Sequence, residues 1–175
     1  MARGGTTSAN RRTEIVSAAI EVFAEIGFYR ATTAQVAERA AISQPYVYRF
    51  FTSKESLLLE ALEVSWQRIL QAFAKVRDTA ASEVLEREFI RAYEQIAAAH
   101  RNEILLQMQA QTIREEPIRQ AMRQGLEQVK QLVLKAFEEA GIEDPDARTS
   151  DFLARGMLCN VAMALEMDDL MFKRK

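Results

Sequence analysis

Apolar residues recur at three- and four-residue spacing along almost the whole chain, the period of helices with one buried face. From Thr13 onward, Ile15, Ala19, Val22 and Ile26 share a stripe that Ala18 and Phe23 widen, and Gly27 supplies the stop. Thr32 with Gln35 three residues later forms a capping box, which opens a short helix carrying Val36, Ala37 and Ala40 inward. Ala41, Ile42 and Ser43 then separate it from a third helix. Ser43 suits its N-cap, Pro45 is tolerated in its first turn, and Val47 and Phe50 face the core. Thr52 and Glu55 are read as another capping box, opening a long helix with Leu58, Leu62, Trp66, Ile69, Phe73 and Val76 down one side. Further helices are expected at about 82–100, 102–114, 117–140 and 145–167, with Pro117 and Pro145 in first turns and Gly141 at a C-terminal cap. No stretch alternates as a strand does, so the predicted fold is all-α.

Composition narrows the class. A chain of 175 residues, 49% apolar and 27% charged, can bury a core and is too hydrophobic for a disordered protein. Residues 1–10 (MARGGTTSAN) are small and polar and read as a flexible N-terminal arm. A single Cys excludes a disulfide framework and points to a reduced, cytoplasmic setting, and nothing near Met1 resembles a signal peptide. The apolar run 152–165 is broken by Arg155 and Asn160 and is shorter than the roughly 20 residues a bilayer needs, so no membrane partner is expected.

The formal charge of −2 conceals an asymmetry. Residues 1–54 hold seven cations (Arg3, Arg11, Arg12, Arg30, Arg39, Arg49, Lys54) against Glu14, Glu21, Glu25 and Glu38, a net of +3 that leaves −5 for the remainder. A basic module on an acidic body is a signature of nucleic-acid binding. The block TTAQVAERAAISQPYVYRFFTSKESL, Thr32 to Leu57, supplies the matching chemistry: two short helices joined by a tight turn, with Gln44, Pro45, Tyr46, Tyr48 and Arg49 exposed at the start of the second. Gln pairs with adenine edges, aromatic and apolar groups meet thymine methyls, and a helix N-terminus suits phosphate.

This block resembles the helix-turn-helix of the tetracycline-repressor (TetR) family of transcription factors. The resemblance covers about the first third of the chain, from AEIGFYRATT through VAERAAIS and QPYVYRFF to FTSKESLL. It implies an N-terminal three-helix helix-turn-helix DNA-binding domain (11–52) followed by a helical ligand-binding and dimerisation domain (53–175). Thr33, Tyr48 and Lys54 match positions that hold phosphates, Gln44, Pro45 and Tyr46 match positions that meet bases, and Arg49 lies on the same exposed turn. Ala34 stands where the family sometimes has a base-reading cation, which shifts readout toward the third helix. Ala41 stands where the family often has Gly; a left-handed backbone there costs on the order of 1 kcal/mol. Arg11 and Arg12 either touch phosphate or minor groove or belong to a solvated arm.

The helix over 152–165 is apolar nearly all round, which calls for burial on more than one side. A twofold partner would supply it: Leu153, Met157, Val161 and Leu165 form one stripe, Ala154, Leu158 and Ala162 another, and Val129 and Val133, with Ile118, Met122, Leu126 and Phe137, add a second helix. Gly156 is expected to permit close approach. A homodimer of this kind reads a palindromic operator in double-stranded DNA with half-sites about 34–36 Å apart. The family resemblance further implies a small-molecule effector inside the body that releases a repressor from its operator. Its candidate contacts are Trp66, Leu70, Phe73, Phe89, Tyr93, Ile96, Met108, Gln111, Met122 and Asn160, with Gln107 as a further polar handle and Glu63, Glu94 and Glu103 as a conceivable cation site. The competing readings are a DNA-binding regulator with no inducer and a purely structural helical dimer.

Nothing points to an enzyme. No catalytic residue, metal site or cofactor is predicted: His100 lacks the Glu three residues before it that a carboxylate-bridged metal bundle needs, and no Gly-rich phosphate loop or nucleophile elbow is present. Cys159, with Leu158 and Val161 as neighbours and no basic partner nearby in sequence, reads as a buried, unreactive thiol.

Overall fold

The computed structural model describes residues 8–170, and the arm residues before Ser8 lie outside them. The described residues form eight α-helices and no strand: α1 (Ser8–Ile26), α2 (Thr33–Arg39), α3 (Gln44–Val47), α4 (Lys54–Thr79), α5 (Leu85–Ala99), α6 (Arg101–Ala110), α7 (Glu116–Glu139) and α8 (Pro145–Leu165). Short 3₁₀ turns at Ser82–Val84 and Asp168–Leu170 precede α5 and follow α8. No helix among the described residues is long and apolar enough to cross a membrane.

The first helix begins earlier than its apolar stripe. Ser8, Ala9 and Asn10, expected in the arm, form its first turn, because none of them breaks a helix that Ile15 and Val16 anchor one turn later. Its inner face meets α2 through Val36 and α3 through Val47, both fully buried, and Leu57 and Leu58 of α4 close the small core beneath them. The Thr32–Gln35 capping box forms as the sequence predicts. The next is displaced by one residue. Ser53, not Thr52, caps α4, and the Ser56 hydroxyl accepts from the Ser53 N–H in the role expected of Glu55.

The turn between α2 and α3 is a Schellman motif in which the Ile42 N–H reaches the Ala37 carbonyl and the Ala41 N–H that of Glu38. Its left-handed position is Ala41, at φ 53°. The end of α7 repeats the motif with Gly141 at φ 68°. Ala41→Gly is therefore expected to stabilise the protein by up to about 1 kcal/mol, read from urea unfolding.

α4 joins the two ends of the molecule, packing on α1 near its start and on α5, α6 and α7 further along. The body's core is aromatic. Phe73, Phe89, Phe137 and Phe152 come from four different helices, and Phe89 stacks on the other three at 5.1, 6.0 and 5.9 Å between ring centroids. α6 lies on α1: the Gln109 amide donates to the Ala24 carbonyl at 2.7 Å, and the Tyr29 hydroxyl donates to Glu115 Oε2 at 2.8 Å.

Candidate nucleic-acid interface and ligand cleft

Helix α3 is only one turn long, because Pro45 fixes its start and the chain tightens into i→i+3 bonds from Tyr46 to Arg49 and Val47 to Phe50. Ser43 occupies the N-cap position without a side-chain bond, so its hydroxyl stays available. Val47 and Phe51 are buried, whereas Pro45, Tyr48 and Arg49 are exposed and Gln44 and Tyr46 half-buried. The outer face is pre-arranged. The Tyr46 ring packs edge-on against Phe50 at 5.4 Å, and the Arg49 guanidinium lies 5.2 Å from the Tyr46 centroid.

Two residues expected on phosphate are used differently. Thr33 is buried, and its hydroxyl accepts from Gln44 Nε2 at 2.8 Å and shares a 3.0 Å hydrogen bond with the Tyr48 hydroxyl. It orients Gln44 and Tyr48 rather than presenting itself. Lys54 Nζ donates to the carbonyls of Phe28 at 2.7 Å, Ala31 at 3.0 Å and Tyr29 at 3.4 Å, and sits over the Phe28 ring. It closes the loop between α1 and α2. Ala34 is exposed beside them and contributes no polar group.

The basic excess is also more committed than its sum suggests. Arg12 chelates Glu60 at 2.8 and 3.0 Å, donates to the Phe50 carbonyl and covers the Phe51 ring, stapling α1 to α4 behind the recognition turn. The hydrogen bonds from Arg12 hold the Glu60 carboxyl below the usual carboxylate range. Arg39 pairs with Glu21 and Glu25, and Arg11 with Glu14. Among the described residues of this module, Arg30 and Arg49 are the arginines with no carboxylate partner, and Arg49 is the one on α3's turn.

In the body, a narrow cleft of about 60 Å³, open to solvent at its mouth, lies between α4, α5, α6, α7 and α8. Of the residues expected to contact an effector, Trp66, Phe73, Tyr93, Gln111 and Asn160 line it. Phe89 and Ile96 are instead buried in the core, and Leu70, Met108 and Met122 are half-buried away from its wall. Gln107 lines the cleft but spends its amide on Ser65 Oγ at 2.8 Å. Residues that sequence reasoning missed include Arg155, Gly156 and Cys159. Gly156, expected to admit a partner helix, faces the Tyr93 ring. Cys159 is half-buried on the cleft wall, where desolvation first and Glu94 second push its thiol up and keep it inert. The conceivable cation site is not assembled: Arg68 Nε donates to both carboxylate oxygens of Glu103, Glu63 accepts from Gln67, and Glu94 faces Arg155 at 3.6 Å.

Tyr93 donates to Asn160 Oδ1 at 2.7 Å, and burial pushes its hydroxyl up to about 12 from 10.0. The folded state thus favours the neutral phenol. Its contribution is complete below pH 10 and is lost as pH rises through 12. Relative to Tyr93→Phe, the native protein is expected to lose on the order of 2 kcal/mol across that window, measured by urea unfolding at a series of pH values.

Two residues expected at a dimer seam lie inside the single chain: Val129 and Val133 are 4% and 0% exposed. Leu153 is half-buried on the cleft wall. The remaining apolar stripe does face outward, with Met157, Leu158, Val161 and Leu165 on α8 and Leu126 on α7 all at least 38% exposed.

This geometry defines a helix-turn-helix head on an all-α body. Residues 15–61 match the family model described as bacterial regulatory proteins, tetR family. The HTH-type transcriptional regulator HbdR of Aromatoleum sp. (strain CIB) is 38% identical over 53 residues, 30% of this chain and 23% of its own length. The HTH-type transcriptional repressor KstR2 of Mycolicibacterium smegmatis is 29% identical over 111 residues, 62% of this chain and 54% of its own length. The chain thus spans between a quarter and about half the length of these curated relatives. Among solved structures, the fatty acid degradation regulator FadR from Bacillus halodurans superposes with a TM-score of 0.80 at 18% identity, covering 97% of this chain and 91% of that one. FadR from Bacillus subtilis, solved with stearoyl-CoA, gives 0.75 at 20% identity and 90% coverage of both. At such identities these likenesses establish the fold, from the head to the last helix.

Proposed function

We propose that this chain is a cytoplasmic, DNA-binding transcriptional repressor that grips a palindromic operator as a homodimer and is released by a small molecule held in the body. The observation that carries the DNA-binding reading is the outer face of α3, where Gln44, Pro45, Tyr46, Tyr48 and Arg49 stand together over a buried Val47 and Phe51. In this reading Gln44, Pro45 and Tyr46 meet base edges, Tyr48 and Arg49 hold phosphates, and Thr33 keeps Gln44 and Tyr48 in register. Lys54 and Ala34 shape the head's edge, with Lys54 fixing the loop that leads into α2. Repression is favoured because the match to the repressor KstR2 reaches into the body, whereas that to the activator FasR covers 30% of this chain.

The seam of the dimer is assigned to the exposed stripe of α8, Met157, Leu158, Val161 and Leu165, with Leu126 of α7 beside it. The effector site is assigned to the cleft, where the relative crystallised with stearoyl-CoA is the precedent for a ligand in this fold. Helix α6 is suited to couple the two: Gln107 and Gln111 line the cleft, and Gln109 between them holds α1. A ligand that prefers one position of α6 shifts the separation of the heads by its differential affinity.

Duplexes selected from a random pool and then measured by gel shift test this directly. Tyr48→Ala is expected to weaken binding about tenfold while the melting curve stays that of a folded protein. Full affinity in that variant contradicts the proposed face.

A further inference from the structure

Two donors on the wall of the cleft have no acceptor. Trp66 Nε1 and Arg155 Nε are both out of reach of solvent and without a hydrogen-bond partner, and both side chains line the same cleft. Trp66 is 7% exposed, its indole lying flat on Gly125, where a Cβ would come within 2.4 Å of the ring. Buried polar groups in folded proteins are nearly always paired, so two unmet donors on residues that line one cleft call for a reason. The third buried side-chain N or O atom without a partner among the described residues, Thr149 Oγ1, belongs to a residue that does not line the cleft.

Most of the neighbouring polar groups are already paired, and the exposed Gln111 reaches only Met157 Sδ, at 3.9 Å. Tyr93 donates to Asn160, Gln107 donates to Ser65, and Glu94 Oε1 balances the Arg155 charge from 3.6 Å without taking its Nε proton. What the wall leaves open is therefore N–H donation, not net charge. Donors that are already stripped of water lose nothing further when an acceptor arrives, so pairing them there gains more than at a wet surface. The remaining wall is apolar, with Ile69, Phe73, Ile90 and Phe152. Leu126 and Met157 stand at its exposed side, and the unbranched Met157 can repack to admit a ligand.

We propose that the cleft takes an apolar molecule bearing one acceptor oxygen of the carboxylate or carbonyl type, which Trp66 Nε1 and Arg155 Nε bind by N–H donation. This assignment rests on the reading of the cleft as the effector site and names the chemistry that the effector must carry.

Octanoate, 2-nonanone and octylammonium, similar in apolar length and different at the polar end, test it on the full chain by isothermal titration calorimetry. Trp66 is the chain's single tryptophan, so its fluorescence reports occupancy of this cleft in parallel. At least one of the two oxygen-bearing probes is expected to bind about tenfold more tightly than octylammonium, and which of them does so separates carboxylate from carbonyl. Trp66→Phe, which keeps a ring and removes the N–H, and Arg155→Met should each weaken that probe five- to tenfold and leave octylammonium unchanged. Arg155→Met carries the comparison alone if Trp66→Phe melts early. Equal binding of octylammonium, or unchanged affinity in the folded variants, overturns the acceptor assignment and leaves the cleft as a ligand site. Failure of all three probes to bind overturns the acceptor assignment and the effector reading with it.

Discussion

Replacing Leu158 and Val161 together by Glu is expected to leave a folded monomer whose affinity for a two-site operator falls by roughly 10²- to 10⁴-fold. Both residues are 39% exposed on α8, so the change empties no core of the single chain, and four carboxylates would face one another across a twofold seam. The size of the loss follows from geometry. A head tethered to a bound partner sees its half-site at millimolar effective concentration, and a free monomer must find it from solution. Sedimentation equilibrium reads the first part and a gel shift the second. Val129→Glu at the same seam by sequence would instead unfold the body, because that side chain is 4% exposed in one chain.

Phe89→Ala is expected to cost about 3–5 kcal/mol, a large share of the 5–15 kcal/mol by which domains of this kind are stable. Phe89 is fully buried and touches the rings of Phe73, Phe137 and Phe152, so its loss leaves a cavity bounded by three helices that cannot all collapse into it. The melting temperature should fall on the order of 10 °C. The effect separates core from cleft wall: were Phe89 an effector contact, as its place in the helical stripe suggests, the same change would alter ligand affinity and barely move the melting curve.

The contrast between those residues shows what the chain makes legible. Local chemistry is written locally. The Thr32–Gln35 box, Pro45 in the first turn of α3 and Gly141 at the end of α7 are each fixed by side chains within a few positions. The start of α4 slipped by one because Thr52 and Ser53 can both cap, and Glu55 and Ser56 can both reach back. Periodicity marks which face of a helix is apolar, but a core and a dimer seam are equally apolar. Val129, Val133 and Leu126 are therefore alike in sequence, and only the fold separates the first two, which are buried, from the exposed Leu126.

Charge was legible as a sum and not as a set of partners. Lys54 follows an exposed turn in sequence, and only the folding back of residues 28–31 over it shows that its protons are used on carbonyls. Thr33 likewise matches a phosphate-holding position in sequence and has an organiser's surroundings in the fold. Arg155 registered in the sequence as a break in an apolar run. The meaning of that break depends on Trp66, nearly ninety positions away.

The central claim is that two copies, joined through α8, place their α3 turns on one face of a duplex. It is tested most directly by hydroxyl-radical footprinting of the native protein on a selected operator, with the mass of the complex measured on the same sample. The account predicts two protein chains per duplex and two protected half-sites one helical turn apart, about 34–36 Å centre to centre. A single protected site bound by one chain, or protection that is the same on every sequence, would contradict it.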